Sequence, residues 1–202
     1  MSSWLATRED VPRLLRHRVF CLLGLRRPIV QLSRTEQEVL IRWASGRQHA
    51  VELGVAEGGS AYLIAYALAP TGSLDLVDPF FPGALHVLGL HELIARRLLR
   101  GAKPTVRFLK MLSWEAPTKA SLSPIDFLFV DADHAAEAVR RDWDVWSPLL
   151  TAGAVVLFHD AIDAASREPE SSGPGLVVRD LLAQGWCLLD TAGTVGVLGR
   201  AW

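Results

Sequence analysis

Val51-Glu52-Leu53-Gly54-Val55-Ala56-Glu57-Gly58-Gly59-Ser60 reads as a strand that ends on an acid, a glycine turn, and the start of a helix. Glycine lets a backbone approach a ligand closely, and the first turn of a helix offers unpaired N–H groups. Such a turn can hold a dinucleotide pyrophosphate, but that fingerprint requires G-x-G-x-x-G. Here Gly54 is followed by Val55-Ala56-Glu57 before Gly58-Gly59, and the carboxylate of Glu57 would repel a pyrophosphate. A ligand carrying an ammonium and a carboxylate suits this loop better. The plain alternative is an ordinary tight strand-to-helix turn.

Working outward, the next strand ends on an acid as well, in Leu76-Val77-Asp78-Pro79. An acid at that place accepts hydrogen bonds from a ribose diol in nucleoside-binding sheets, or simply opens a turn before proline. Strand-like apolar runs at 49–53, 73–77, 105–109, 125–130 and 154–158 alternate with helical stretches at 59–69, 84–100 and 134–146, with a short turn near 116–120. In the 134–146 helix Val139, Trp143 and Trp146 form an apolar stripe. This alternation predicts a parallel sheet covered on both faces. After a helix at 176–183, the runs 186–190 and 194–198 are joined only by Thr191-Ala192-Gly193. A parallel crossover needs a dozen residues or more, so these two must form an antiparallel hairpin. The expected fold is α/β: a Rossmann-like three-layer sandwich whose seven-stranded, mostly parallel sheet ends in a C-terminal antiparallel hairpin.

At 202 residues the chain is expected to be a single domain, 1–202, with a helical cap at 1–47 and a core at 48–202. In the cap, Leu14, Leu15, Val19, Leu22 and Leu23 recur at helical spacing among Arg13, Arg16, His17 and Arg18, and Pro28 ends the segment. Ser33-Arg34-Thr35-Glu36 reads as a capping box that opens a second helix stopping near Gly46. The stretch 161–175 reads as a mobile insertion.

Composition narrows the function. Half the residues are hydrophobic, and 21 Lys plus Arg against 22 Asp plus Glu leave a net charge of −1. That gives no global basic field for nucleic acid. Apolar runs such as Val19–Leu25 are far shorter than the ~20 residues that span a bilayer. Arg8, Glu9 and Asp10 fall where a signal peptide would need an apolar stretch. Cys21 and Cys187 are too few for a disulfide framework or a cysteine zinc site, which suits a reducing cytoplasm.

The chemistry-bearing residues lie at two further strand ends, Phe129-Val130-Asp131-Ala132-Asp133-His134 and Leu157-Phe158-His159-Asp160. Open α/β sheets place ligands at the carboxyl ends of their strands. Asp131, His159 and Asp160 offer oxygen and nitrogen donors acceptable to a divalent ion. The His134 imidazole suits proton abstraction; alternatively, Asp133 caps the following helix and His134 merely occupies its first turn. His86 and His91, five apart, point about 140° from each other and make no metal pair. His17 and His49 carry no assigned role, and the arginines of the first helix read as a solvated face.

The run from Glu52 to Ser60 (E-L-G-V-A-E-G-G-S), with Asp78 and the final hairpin, resembles class I S-adenosylmethionine (SAM)-dependent methyltransferases. It is similar in particular to small O-methyltransferases of the catechol type, whose loop has the E-L-G-x-x-x-G-x-S spacing. The D-A-D-H and F-H-D stretches resemble the bacterial methyltransferase family 24 group more closely, with Ala132 where glycine is usual. The likeness runs from about residue 33 to the end. It implies a cofactor site of Glu52, Gly54, Gly58, Ser60, Asp78, Ser113, Trp114 and Asp131. The Gly54 loop would lie under the methionine portion, Ser60 would meet its carboxylate, Asp78 the ribose, and Ser113 and Trp114 the adenine edge. It further implies catalytic roles for Asp131 and for His134, which stands at the offset of a lysine base. Magnesium or another divalent cation would sit at Asp131, His159 and Asp160, although His159 replaces an acid and weakens a magnesium site. The ion would anchor the acceptor oxygen and lower its pKa.

The expected function is methyl transfer from SAM to a hydroxyl of a small molecule by a cytoplasmic enzyme, with no nucleic-acid or membrane partner; a homodimer is compatible with the resemblance. Three rivals are weighed beside it. An NAD-dependent oxidoreductase is disfavoured by the glycine spacing and the hairpin. A cephalosporin-hydroxylase-like relative would keep the fold with other chemistry. A catalytically silent binding module would use the N-terminal helices as an interface, against which intact Glu52, Gly54, Ser60 and Asp78 argue. Phe80-Phe81-Pro82-Gly83, the 161–175 loop and the N-terminal helices are expected to fold over the ligand edge and exclude water. Deleting the first thirty residues should then weaken acceptor use more than cofactor binding.

Overall fold

The connecting helices lie first on one face of a growing parallel sheet and then on the other, so the sheet extends in both directions from its first strand. The computed structural model describes residues 6–7, 15–81 and 90–200. The chain runs β1 (Ala6–Thr7), α1 (Leu15–Leu22), β2 (Ile29–Val30), α2 (Arg34–Ala44), β3 (His49–Leu53), α3 (Gly59–Ala67), β4 (Ser73–Val77), α4 (Leu90–Leu98) and β5 (Thr105–Leu109). It continues through a 3-10 turn, Ser113–Glu115, then α5 (Ala116–Lys119), β6 (Ile125–Val130), α6 (Ala136–Trp146), β7 (Leu150–Phe158), α7 (Gly173–Ala183), β8 (Trp186–Ala192) and β9 (Val195–Arg200). In the sheet order β5-β4-β3-β6-β7-β9-β8 the five strands β3 to β7 are mutually parallel, and β9 enters antiparallel between β7 and β8. This is the seven-stranded sheet with a terminal hairpin that the sequence predicts.

All five residues of β3 are buried, as expected of a strand covered on both faces. Alternate residues serve two cores. Ala50, Leu74, Leu76, Phe127 and Phe129 pack toward α2 and α3, whereas Val51, Leu53, Leu128, Val130 and Phe158 pack toward α6 and α7. The register then sets the site: Leu53 pairs with Val77 and with Val130, and Val130 with Phe158. Four strands therefore end level, and Gly54, Asp78, Asp131 and His159 leave the sheet side by side.

Local chemistry explains the boundaries that differ from expectation. β7 begins at Leu150 rather than 154 because its first residues are half-exposed and carry no continuous apolar signal. α7 starts at Gly173, ahead of the predicted 176: the Ser172 side chain accepts from the Gly175 N–H, and Pro174 sits in the first turn where its missing N–H costs nothing. Ala135, not Asp133, is the N-cap of α6; Asp133 Oδ1 instead accepts from the Ala135 N–H at 2.8 Å in an Asx-type turn. The supposed mobile insertion is tied down by an Ile162–Pro169 bridge and by Thr194 O, which accepts from the Ala161 and Ile162 N–H groups. The early part of the 84–100 helix, with His86, Pro82 and Gly83, lies outside the described residues.

The predicted capping box of α2 is present. Glu36 Oε2 accepts from the Ser33 N–H at 2.7 Å, while Oε1 accepts from Thr194 N–H and Oγ1 at 2.8 and 3.0 Å. One carboxylate thus joins the cap to the hairpin turn. On α1 the buried face is not the leucine stripe: Val19 and Leu23 are exposed, and His17 and Cys21 face inward. Among the described residues no helix is long and apolar enough to cross a membrane.

Candidate functional site

Because these strands end level, the residues leaving three of them, β3, β4 and β6, ring one cavity of about 240 Å³. Gly54, Val55, Ala56, Gly59, Ser60, Asp78, Asp131, Ala132 and His134 line it from the sheet edge, and Ile29, Gln31 and Leu32 from the N-terminal segment. Five of the residues singled out in the sequence meet here: Gly54, Ser60, Asp78, Asp131 and His134. Gly58, in the left-handed region, is the N-cap of α3.

Glu52 lies on the α2/α3 side of β3 with no exposed surface. Its Oε1 accepts from the Ser60 hydroxyl, while Oε2 is buried without a partner among the described residues. Burial drives its pKa well above the usual carboxylate range, and the nearby charges of Asp131 and Asp78 add to the rise, against the Ser60 hydrogen bond. An unpaired buried carboxyl oxygen is costly, and an ammonium brought to it would satisfy it. The adjacent first turn of α3 supplies free N–H groups suited to a carboxylate. Because the Ser60 hydroxyl hydrogen goes to Glu52, a ligand carboxylate would meet backbone N–H rather than the serine side chain. An amino-acid moiety therefore fits this end of the cavity, as the methionine portion of SAM requires.

Gly54 has φ of +86°, and a Cβ there would lie 2.1 Å from the Asp131 carbonyl oxygen. The loop is pinned by Asp78, whose Oδ2 accepts from the Val55 and Ala56 N–H groups at 2.8 and 3.1 Å, and whose Oδ1 accepts from Phe80 N–H at 2.6 Å. Asp78 therefore shapes the loop, in addition to any ribose contact. Beyond it, Phe80 is buried and Phe81 is exposed.

Ser113 and Trp114 do not join this cavity. The Ser113 hydroxyl donates to Asp142 and its carbonyl accepts from Trp146 Nε1 at 3.1 Å. Trp114 packs under the Arg141 guanidinium, 4.7 Å from the ring centre. Ser113 turns toward α6 because a buried carboxylate there needs a donor, and Trp114 beside it meets Arg141 of the same helix. Burial lifts the Asp142 carboxyl to about 6, with the Ser113 hydrogen bond opposing. The folded value exceeds the ordinary one, so the stabilising contribution is present below about pH 4 and is lost as pH rises through 6. Asp142→Asn should therefore be up to about 3 kcal/mol more stable than the parent at pH 8 and equal to it at pH 4. Denaturant unfolding at both pH values checks this; the same difference at both would show that Asp142 does not titrate.

On the acceptor side the side chains form a chain of imidazole–carboxylate contacts. His159 Nδ1 is 3.0 Å from Asp131 Oδ1 and 3.4 Å from Asp160 Oδ2, and Asp160 Oδ2 is 2.9 Å from His134 Nε2. Burial opposes charging of His159, but Asp131, Asp160 and Glu36 outweigh it and raise its pKa. Burial likewise opposes ionisation of Asp160, and His159 and His134 override it to lower its pKa. Asp160 bridges the two histidines, and the donors grouped within 4.8 Å of one another are Asp131, His134 and His159.

The N-terminal segment is part of this site. A Cβ on Gly59 would lie 2.4 Å from Ile29 O, so the strap crosses directly over the start of α3. Glu57, read from the sequence only as a phosphate repellent, is buried and accepts from Ile29 N–H at 3.0 Å and from Arg18 Nε at 3.2 Å. Arg18 is thus not on a solvated face, and His17 and His49 have definite surroundings. His17 Nε2 lies 3.4 Å from Glu57, and His49 Nε2 lies 3.0 Å from Asp75, which Arg107 grips with two nitrogens at 2.7 Å. The i, i+4 spacing of His17 and Cys21 was the available signal for the first of these. Since Ile29, Gln31 and Leu32 line the cavity, deleting residues 1–30 is expected to weaken cofactor binding along with acceptor use. A calorimetric titration of the truncated chain with S-adenosylhomocysteine (SAH) checks this; parent-like affinity would place the strap outside the cofactor site.

The strand order, the glycine loop over the level strand ends and the terminal hairpin define a class I methyltransferase fold. The sequence pattern of the family described as "Methyltransferase domain", the family 24 group, matches residues 51–161, more than half of the chain, and the chain belongs to that family. It is similar to the "Uncharacterized protein y4gI" of Sinorhizobium fredii, 33% identical over 118 residues, which is 54% of this chain and 13% of that protein. The chain thus spans about an eighth of that curated relative's length. The O-methyltransferase TomG from Streptomyces achromogenes, involved in tomaymycin synthesis and solved with SAM, superposes with a TM-score of 0.60 at 18% identity, over 95% of this chain and 92% of its own. The O-methyltransferase from Bacillus cereus in complex with SAH gives 0.57 at 17% identity, over 94% and 93%. At these identities the likeness is one of fold.

Proposed function

We propose that this chain transfers the methyl group of SAM to a hydroxyl oxygen of a small molecule, with His134 as the general base. The buried, unpartnered Oε2 of Glu52 beneath the Gly54 loop carries the reading. It calls for a cation, and the helix start beside it calls for an anion. When bound, SAM supplies a methyl already activated on sulfonium. The protein's part is then alignment and proton removal. Glu52 and the α3 N-terminus hold the amino-acid end. Asp78, with about four acceptor positions and three N–H groups upon them, has one left for a ribose hydroxyl.

On the acceptor side, Asp160 accepts the His134 Nε2–H, which leaves Nδ1 to take the proton of an acceptor hydroxyl. Asp160 then stabilises the imidazolium. The two O-methyltransferases of like fold support oxygen as the acceptor atom, and a net charge of −1 favours a small molecule over nucleic acid. Metal assistance is a second reading, favoured by the grouping of Asp131, His134 and His159 beside Asp160. Mixed oxygen and imidazole donors suit a transition-series ion better than magnesium. Held there, such an ion would polarise the acceptor oxygen.

Calorimetry with SAH, in magnesium and then in chelator, tests the cofactor half. Micromolar binding is expected, falling about 10- to 100-fold in Glu52→Gln, which keeps the Ser60 partner but loses the charge. No binding to folded protein would sink the reading in favour of a silent module. Methyl transfer from SAM to a panel of phenols and alcohols, with and without chelator, tests the acceptor half.

A further inference from the structure

Away from the strand ends, α1 presents His17 and Cys21 one turn apart on its buried face, directly against Glu57 of the glycine loop. Cys21 Sγ is 3.3 Å from His17 Nε2, and that nitrogen is 3.4 Å from Glu57 Oε2. All three donor atoms lie within 4.8 Å of one another, and all three residues are buried. Ligands about 2.0–2.3 Å from a tetrahedral ion stand about 3.3–3.8 Å apart, which the Cys21–His17 and His17–Glu57 edges match. The carboxylate is already oriented: Ile29 N–H donates to Oε2 and Arg18 Nε to Oε1, as outer hydrogen bonds do for metal-bound carboxylates. His91 Nε2, from α4, stands 3.8 Å from Oε1 on the side toward solvent.

We propose that His17, Cys21 and Glu57 form a zinc site that fastens the N-terminal cap to the glycine loop. The donor set of one thiolate, one imidazole and one carboxylate suits zinc and its close neighbours rather than calcium or magnesium. On binding, the Cys21 thiol proton leaves to solvent as the metal–sulfur bond forms, with no change of oxidation state. The ligands join α1 to the loop between β3 and α3, so the ion crosslinks these two segments. The site is independent of the methyl-transfer reading, and its donors are separate from Asp131, His134 and His159.

The full chain, stripped with chelator, is titrated with Co²⁺ as the spectroscopic probe and then with Zn²⁺. One equivalent of Co²⁺ is expected to give a thiolate-to-cobalt charge-transfer band, bleached by one equivalent of Zn²⁺, with a rise in melting temperature. The band should vanish in Cys21→Ser, weaken with at least a tenfold loss of affinity in His17→Gln, and persist in Cys187→Ser and Asp131→Asn. Circular dichroism shows that each variant is folded, and His17→Gln carries the test if Cys21→Ser does not fold. A folded parent with no thiolate band, a band that survives Cys21→Ser, or unchanged affinity in His17→Gln would overturn the proposal.

Discussion

Gly54→Ala is expected to weaken SAH binding about a hundredfold and to lower stability by about 2–5 kcal/mol. Two physical costs combine. At φ of +86° any L side chain is strained, by about 1–2 kcal/mol. The new Cβ would also stand 2.1 Å from the Asp131 carbonyl oxygen, 2.7 Å from its carbon and 2.9 Å from Ala132 Cα. All three are backbone atoms and cannot rotate away, so β3 and β6 must part where Asp131 N–H donates to Leu53 O at 2.9 Å. Overpacking of this kind costs about 1–3 kcal/mol. A displaced loop carries its N–H groups off the ligand, so about 3 kcal/mol of misalignment is worth about a hundredfold in affinity. Gly46→Ala is the matched control, with φ of +74° but nothing within 4 Å of its Cβ. It should show the strain alone, with parent-like binding. Equal behaviour of the two variants in thermal unfolding and SAH calorimetry would show that the approach to Asp131 is not what demands glycine.

His134→Ala is expected to lower kcat by about 10²–10⁴-fold while leaving SAH affinity and melting temperature near those of the parent. The side chain is half-exposed and meets Asp160 at 2.9 Å, so its loss removes little packing. The deficit should shrink for acceptors whose hydroxyl ionises more readily, because such a group needs less help in losing its proton. Single-turnover rates over a series of phenols of graded acidity measure this directly. A loss smaller than tenfold and flat across the series would reduce His134 to a residue preceding α6 and overturn its role as the base.

Much of the fold was legible in the sequence because its signals are local. The β3 to β5 boundaries coincide with their apolar runs, since those strands are bounded by glycine, serine or proline turns. The capping box at Ser33 and Glu36 is a four-residue pattern whose geometry is its own. Where an element begins in half-exposed residues, as β7 does, or in a Gly-Pro-Gly stretch, as α7 does, the local signal misleads. There, sheet pairing or a capping side chain decides.

The candidate site divides in the same way. The amino-acid order already places acids, a glycine loop and a histidine-rich edge at the carboxyl ends of adjacent parallel strands, because strand alternation fixes which residues emerge there. It could not determine which way those side chains turn. Packing in three dimensions turns Asp78 to the Val55 and Ala56 N–H groups, Ser113 to Asp142 and Trp114 beneath Arg141. The same holds for the burial of His17, Cys21 and Glu57 beneath the strap at Ile29. Each of these is a contact between distant segments, set by where a buried polar group finds its partner. Periodicity carries no information about that, and the need to satisfy every buried charge supplies it.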